Sequence, residues 1–252
     1  MGELEAIYAI WLREFKVYLR ERERVISSLI SPLLWLFAFG TGLGSSVSFS
    51  GVNYQQFIFP GIITMSILFT SIFYGTYIIW DKRLDFLKAV LVAPISRSSM
   101  VAGKVLGGLT DVMPQVLIIL IAGILLLGIK LSMLSILYVF GISLLIAIGL
   151  ICLGLTLGAN MSSPEGFSLV MTFLLWPLFL FSGALYPVDN LPPWLAWVTH
   201  MDPVAYGVDM LQGAIIGVQH NPVYLDLAVL ILFAIAMAIT ATISFGRMQQ
   251  TK

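Results

Sequence analysis

The chain has 252 residues, of which 59% are hydrophobic and only 10% charged, with a formal net charge of zero. A soluble domain carries about a quarter charged residues, and a mean hydropathy of +0.99 puts most of this chain in lipid rather than water. Zero net charge excludes an overall field that would recruit nucleic acid, and the lone Cys152 excludes a disulfide within the chain.

The first 24 residues hold ten charged side chains, which argues against a cleavable signal peptide. Leu4, Ile7, Tyr8, Trp11, Phe15 and Tyr18 recur at helical spacing, with Arg13, Lys16 and Arg20 elsewhere on the wheel. This pattern predicts a helix over 1–24 lying in the cytoplasmic interface. It either only sets topology or also props a soluble partner.

A helix needs roughly 20 apolar residues to cross a hydrocarbon core of about 30 Å. Six stretches qualify: 25–44, 56–80, 105–129, 133–159, 166–186 and 223–246. The third contains Asp111 and Pro114, and Pro177 predicts a kink in the fifth. Lys and Arg avoid translocation. With six spans, Arg13, Lys16, Arg20, Arg22 and Arg24, the group from Lys82 to Lys104, and Arg247 and Lys252 share one side, leaving only Lys130 on the other. Both termini are therefore expected in the cytoplasm.

The connection at 81–104 carries Lys82, Arg83, Lys88, Arg97 and Lys104, five of the thirteen Lys and Arg. Leu84, Leu87, Val90 and Leu91 make one helical face, Pro94 stops it, and Ser96 is placed to cap the next helix. A helix, a break and a second helix feeding the third span form an element that a soluble domain could grip. The plain alternative is a solvated loop whose basic residues only set topology. Asp111, inside an apparent span, is expected to be costly and functional, or else satisfied by snorkelling or by pairing with Lys104.

Between 187 and 222 there is no Lys or Arg, and both histidines, His200 and His220, lie there. Pro192 suits a first helical turn, and Asp202-Pro203 makes an N-cap and first-position pair. Two short helices rich in Trp and Tyr predict an outer re-entrant or interfacial hairpin, either a gate over an exit or a structural cap. The two histidines match no tight metal spacing. Small residues four apart at Gly103/Gly107, Gly154/Gly158 and Gly213/Gly217 predict close packing within the chain. No Gly-x-x-x-x-Gly-Lys-Ser/Thr is present, so no ATP site of that kind is expected here.

Two passages carry a family resemblance: Phe86-Leu-Lys-Ala-Val-Leu-Val-Ala-Pro-Ile-Ser-Arg97 followed by Gly103-Lys104, and Phe181-Ser-Gly-Ala-Leu-Tyr-Pro-Val-Asp-Asn-Leu-Pro-Pro-Trp194 followed by Asp202-Pro203 and Asp209. The chain resembles the membrane-spanning permease subunits of ABC-2-type ABC exporters, in the branch of daunorubicin-resistance permeases and nodulation lipo-oligosaccharide exporters. The resemblance covers essentially the whole chain. It implies an all-α membrane fold in one permease domain: interfacial helix 1–24, spans one and two at 25–80, coupling segment 81–104, spans three to five at 105–186, outer hairpin 187–222, and span six with its tail at 223–252. It also implies that Phe86, Leu87, Leu91, Pro94 and Arg97 contact a cytoplasmic ABC ATPase subunit, present in two copies, and that a second permease copy completes a homodimer. Catalytic, cofactor-binding and metal residues are expected to be absent, with ATP and Mg held by the partner. Relatives often carry Glu-x-Gly or Met-Gly ahead of the coupling helix, where this chain has Lys82-Arg83-Leu84-Asp85.

The reading is a transport subunit in a prokaryotic inner membrane, moving a hydrophobic or amphipathic molecule such as a drug, lipid or lipid-linked glycan. The alternative is a carrier or channel driven by an ion gradient. Tyr186, Pro187, Trp194, Asp202, Pro203 and Asp209 are the candidate outer gate. Trp35, Phe39, Phe69, Phe73, Trp176 and Phe179 are the candidate pathway, although such residues also serve as plain packing.

Overall fold

The computed structural model describes residues 2–44, 48–49, 52–84, 95–188 and 191–248. The chain opens with α1 (Glu3–Arg20) and α2 (Arg22–Gly44). Glu3 and Glu5 in the first turn of α1 suit the positive end of the helix dipole. A two-residue antiparallel pair follows, β1 (Ser48–Phe49) with β2 (Val52–Asn53), a small departure from the all-α expectation. Asn53 then accepts from the Gln55 N–H and starts α3 (Tyr54–Phe73).

The stretch expected as one span at 56–80 is interrupted: α3 gives way at Tyr74–Gly75 to α4 (Thr76–Arg83). The cause is a crossing with α6 (Met133–Asn160). A Cβ on Gly75 would overlap the carbonyl of Gly154, one on Gly158 would overlap the carbonyl of Gly75, and one on Gly154 would lie 2.5 Å from the Ile72 carbonyl oxygen. Backbone meets backbone there, as small residues four apart allow. Lys82 then reaches over and donates to the carbonyls of Gly158 (3.0 Å), Ala159 and Met161 (3.0 Å). A cation thus satisfies carbonyls that the end of α6 leaves open.

After the connection, α5 runs over Arg97–Leu127. Ser96 caps it as expected, accepting from the Ser99 N–H at 3.1 Å, and Gly128 ends it at φ +63°. Next come α6, capped by Ser132, and α7 (Pro164–Leu180), with Ser163 as cap and Pro164 in its first turn. The stretch expected to continue to 186 stops as helix at Leu180, and Gly183 turns the chain at φ +75°. The outer passage forms α8 (Pro193–Met201) and α9 (Pro203–Ile216). Asp202 accepts from the Val204 N–H, so the expected cap and first-turn proline are in place. The last helix is α10 (Val223–Arg247).

By length and composition, four helical stretches can cross a membrane: Tyr54–Arg83, Arg97–Leu127, Met133–Asn160 and Val223–Arg247, with Pro164–Leu180 a shorter apolar helix. They are not equivalent. The α3–α4 stretch has 83% of its apolar window buried inside the molecule, whereas α10 has 22%. The former is the axis of the bundle and the latter its wall. α3 packs against α2, α5, α6 and α9, while α1 lies along α5. The seam of α1 is Ala6, Ile10 and Glu14. Gly103 lets Ile10 approach, and Gly107 does the same for Glu14 and Tyr74.

Candidate functional site

Phe86, Leu87, Leu91 and Pro94 lie outside the described residues. The flanks of that segment are described, and both are held by α1. On the far flank, Glu3 accepts from the Ser96 hydroxyl (2.7 Å) and backbone N–H (3.3 Å) and from the Ser99 hydroxyl. The Ser99 and then the Ser96 hydroxyl hold the Glu3 carboxyl below its ordinary range, outweighing desolvation. The first turn of α1 thereby supplies an anion to the start of α5. Arg97, the remaining coupling candidate, begins α5 and directs a guanidinium N–H toward the Met100 sulfur.

On the near flank, α4 ends in a buried ring of charge. Arg13 Nη2 donates to Asp81 Oδ1 at 2.6 Å and Nη1 to Glu14 Oε1 at 2.7 Å. Lys104 Nζ donates to Glu14 Oε1 at 2.7 Å and to Asp81 Oδ2. The Tyr74 hydroxyl adds a bond to Glu14 Oε2 at 3.0 Å. Glu14, Asp81 and Lys104 are each 3 to 4% exposed. Two cations and two carboxylates from α1, α4 and α5 therefore balance one another away from water. Such a group is tolerated only when all members are paired.

The expected Lys104–Asp111 pair does not form. Seven residues on one helix are two turns, about 10 Å, apart, and Lys104 is taken by the ring. Asp111 instead accepts from Arg24 of α2. Arg24 also pairs with Glu21 at 3.0 Å and lies 4.5 Å over the Tyr77 ring, whose hydroxyl donates to Glu21. Deeper in, Gln115 accepts from Ser66 (3.0 Å) and Thr70 (2.9 Å) and donates to Ser28 (2.8 Å). A polar stripe thus runs inward from the charged end of α2 between α2, α3 and α5.

Beside that stripe, a groove of about 750 Å³ opens between α1, α2, α3 and α4. Arg13, Glu21, Arg24, Tyr77 and Asp81 line one part, Ser28, Ser31, Ser66 and Thr70 another, and Met65, Phe69 and Phe73 the apolar wall. The pathway candidates adjoin it. Trp35 stacks on Phe39 with centroids 4.7 Å apart and meets Trp176 at 6.2 Å and Phe179 at 6.1 Å. Phe69 meets Trp176 edge-on at 5.7 Å. Phe73 stands apart, against Phe167 at 6.4 Å. α2, α3 and α7 therefore share one aromatic cluster, continuous with the groove through Phe69.

The outer candidates divide. Asp209 accepts from the His220 backbone N–H and the Asn221 N–H, both at 2.8 Å, and its Oδ1 lies 2.8 Å from the His220 ring nitrogen. It fastens the loop after α9. Asp202 is buried with Oδ2 lacking a partner, and burial pushes its carboxyl up to about 7 against the Val204 hydrogen bond. Tyr186 donates to the Leu180 carbonyl at 2.7 Å and closes the turn with Pro187. Trp194 is 64% exposed, as an interfacial anchor would be; Pro203 is the first residue of α9. Among the described residues, no group of three or more His, Cys, Asp or Glu is placed to hold a metal ion. The periodicity of α1 missed Glu14 because it singled out the aromatic residues; Ala6, Ile10 and Glu14 at i, i+4 and i+8 were the available signal.

A bundle of long apolar helices, with its charged side chains gathered at one end beside an interrupted helix, defines a multi-spanning α-helical membrane protein of the transport kind. The chain belongs to the ABC-2 type transporter family, whose model matches residues 5–216. This is the membrane-embedded part of an ABC transporter and carries no ATPase domain, so membership implies association with ATPase subunits. The chain is similar to the inner membrane transport permease YadH of Escherichia coli (strain K12), 28% identical over 239 residues that cover 92% of this chain and 91% of that protein. It is similar to nodulation protein J of Neorhizobium galegae, 25% identical over 90% of this chain and 87% of that one. A putative transport permease, ycf38, of Porphyra purpurea is 31% identical over 82% of this chain and 72% of its own length.

Proposed function

We propose that the chain is the permease of an ATP-driven exporter that moves a hydrophobic or amphipathic molecule (a drug, a lipid or a lipid-linked glycan) out of the cytoplasm or inner leaflet. Two copies form a homodimer, and two separate ATPase chains dock below. In this reading α2 and α7 join the four long stretches as spans one and five, both termini face the cytoplasm, and the membrane is a prokaryotic inner membrane. The carrying observation is that the family match runs unbroken over 5–216, across the 81–97 connection, while the sequence holds no ATP-binding loop of its own. Phe86, Leu87, Leu91, Pro94 and Arg97 are the proposed ATPase contacts. ATP-driven closure of the ATPase pair pushes on them, and the joint at Arg13, Glu14, Asp81 and Lys104 passes that push to α1, α4 and α5. Tyr186, Pro187, Trp194, Asp202, Pro203 and Asp209 form the outer gate. The aromatic cluster of Trp35, Phe39, Phe69, Trp176 and Phe179, with Phe73 on the groove, forms the pathway.

The test is a pull-down of the tagged, solubilised chain from its host, with ATPase assay of what accompanies it. The reading expects a stoichiometric ATPase subunit that is lost on Leu87→Asp. A clean preparation without ATPase, with flux in liposomes holding this chain alone, would sink it in favour of a gradient-driven carrier. The pairing of Asp111 with Arg24 already removes the unpaired intramembrane acid on which that carrier would draw.

A further inference from the structure

The groove between α1, α2, α3 and α4 has a composition that selects among head groups. Its volume of about 750 Å³ is in the range of sites for drug-sized ligands. Its two kinds of wall suit an amphiphile: Met65, Phe69 and Phe73 on the apolar side, hydroxyls and charges on the other.

The charges are not balanced. Around the groove the described residues supply the cations Arg13, Arg24 and Lys104 and the carboxylates Glu14, Glu21, Asp81 and Asp111. There is one more carboxylate than cation. The 85–94 segment adds Asp85 and Lys88, which cancel. Arg20, Arg22 and Glu23 are exposed at the rim, where salt screens them.

Neither arginine is available to an incoming anion. Arg13 is held by Glu14 and Asp81, and Arg24 by Glu21, Asp111 and the Tyr77 ring. An anionic head must break one of these pairs where water is scarce and leave a carboxylate uncompensated, which is strongly unfavourable. A positive group offsets the surplus carboxylate and breaks nothing.

We propose that this groove is the head-group site for the cargo and that it takes an amphiphile bearing a positive charge in its head, cationic or zwitterionic, and rejects a purely anionic one. The inference rests on the exporter reading only in treating the groove as part of the cargo path.

The test uses the full chain in nanodiscs of neutral lipid. Three amphiphiles share one pyrene-labelled tail and differ in head: trimethylammonium, phosphocholine and sulfate. Specific binding is the tryptophan-to-pyrene transfer abolished by unlabelled competitor and by Ser31→Phe, which fills the groove from α2. The trimethylammonium and phosphocholine probes are expected to bind at least tenfold more tightly than the sulfate. Glu21→Gln should shrink that ratio, and Ser31→Lys, an exposed position, should reverse it. Equal or tighter binding of the sulfate, or a ratio indifferent to both substitutions, overturns the inference. Binding is read on the permease alone. Failure to capture an ATPase would sink the exporter reading without moving this ratio, and a sulfate preference would sink this inference while leaving the exporter intact.

Discussion

Lys104→Met isolates the buried ring of charge at the cytoplasmic end of the bundle. In the native protein Lys104 Nζ donates to Glu14 at 2.7 Å and also to Asp81, with all three residues almost wholly buried. Methionine matches the length of the side chain and removes only its charge and donors. Arg13 then remains alone against two carboxylates. Breaking a buried pair by deleting one partner costs about 3–5 kcal/mol. A chain of this size loses roughly 2–4 °C of Tm per kcal/mol, so the melting temperature in nanodiscs should fall by roughly 6–20 °C. The second variant carries the logic. Adding Glu14→Gln to Lys104→Met removes one carboxylate, leaves Arg13 and Asp81 as a balanced pair, and should recover a coupling energy of about 0.5–3 kcal/mol. If the single variant melts with the native protein, or the double variant melts below the single, the ring is not an electrostatic unit.

Three further outcomes are expected. Gly75→Val places two methyl groups into the backbone of α6, where even a Cβ overlaps the Gly154 carbonyl; folded yield by gel filtration should collapse, whereas Gly141→Val, where a Cβ meets nothing, should leave it intact. Lys82→Met frees three carbonyls at the end of α6, so amide exchange over residues 160–166 should accelerate at least tenfold while the core of α6 stays protected; unchanged exchange would deny the lysine its role. For Asp202, burial raises the carboxyl from 3.8 to about 7, so between those values the folded hairpin holds a proton that the unfolded chain has released. Stability there is full below pH 4, falls as pH rises to about 7 and then levels; Asp202→Asn, which keeps a capping side chain, should flatten that slope in hydrogen exchange over α9.

The helix inventory was legible because caps and periodicity are local. Ser96, Asp202-Pro203 and the glycines of α6 each act within a turn or across one crossing, and each appears where the residues put it. The break at Tyr74–Gly75 was not legible, because Gly75 reads as one tolerated glycine in an apolar run until Gly154 and Gly158 are brought against it. The pairing of charges was hidden for the same reason. Lys104 and Asp111 share a helix, but their partners arrive from residues 13–24 and from Asp81, and only the lie of α1 along α5 decides which acid meets which base. The aromatic residues were identifiable as candidates from type alone; that Trp35, Phe69 and Trp176 form one cluster depends on three helices that the sequence does not order in space.

The length of α5 sets how displacement passes from water into lipid. Its 31 residues extend about 46 Å, against a hydrocarbon core of about 30 Å, so roughly 16 Å of rigid helix stands proud of the bilayer. That overhang includes Gly103 and Lys104 and is splinted by α1 from Glu3 to Glu14. It is a lever with its fulcrum at the membrane surface and an arm about half as long as its load side. A sideways push of a few ångströms at Arg97 is therefore delivered, roughly doubled and reversed, at the outer end near Leu127.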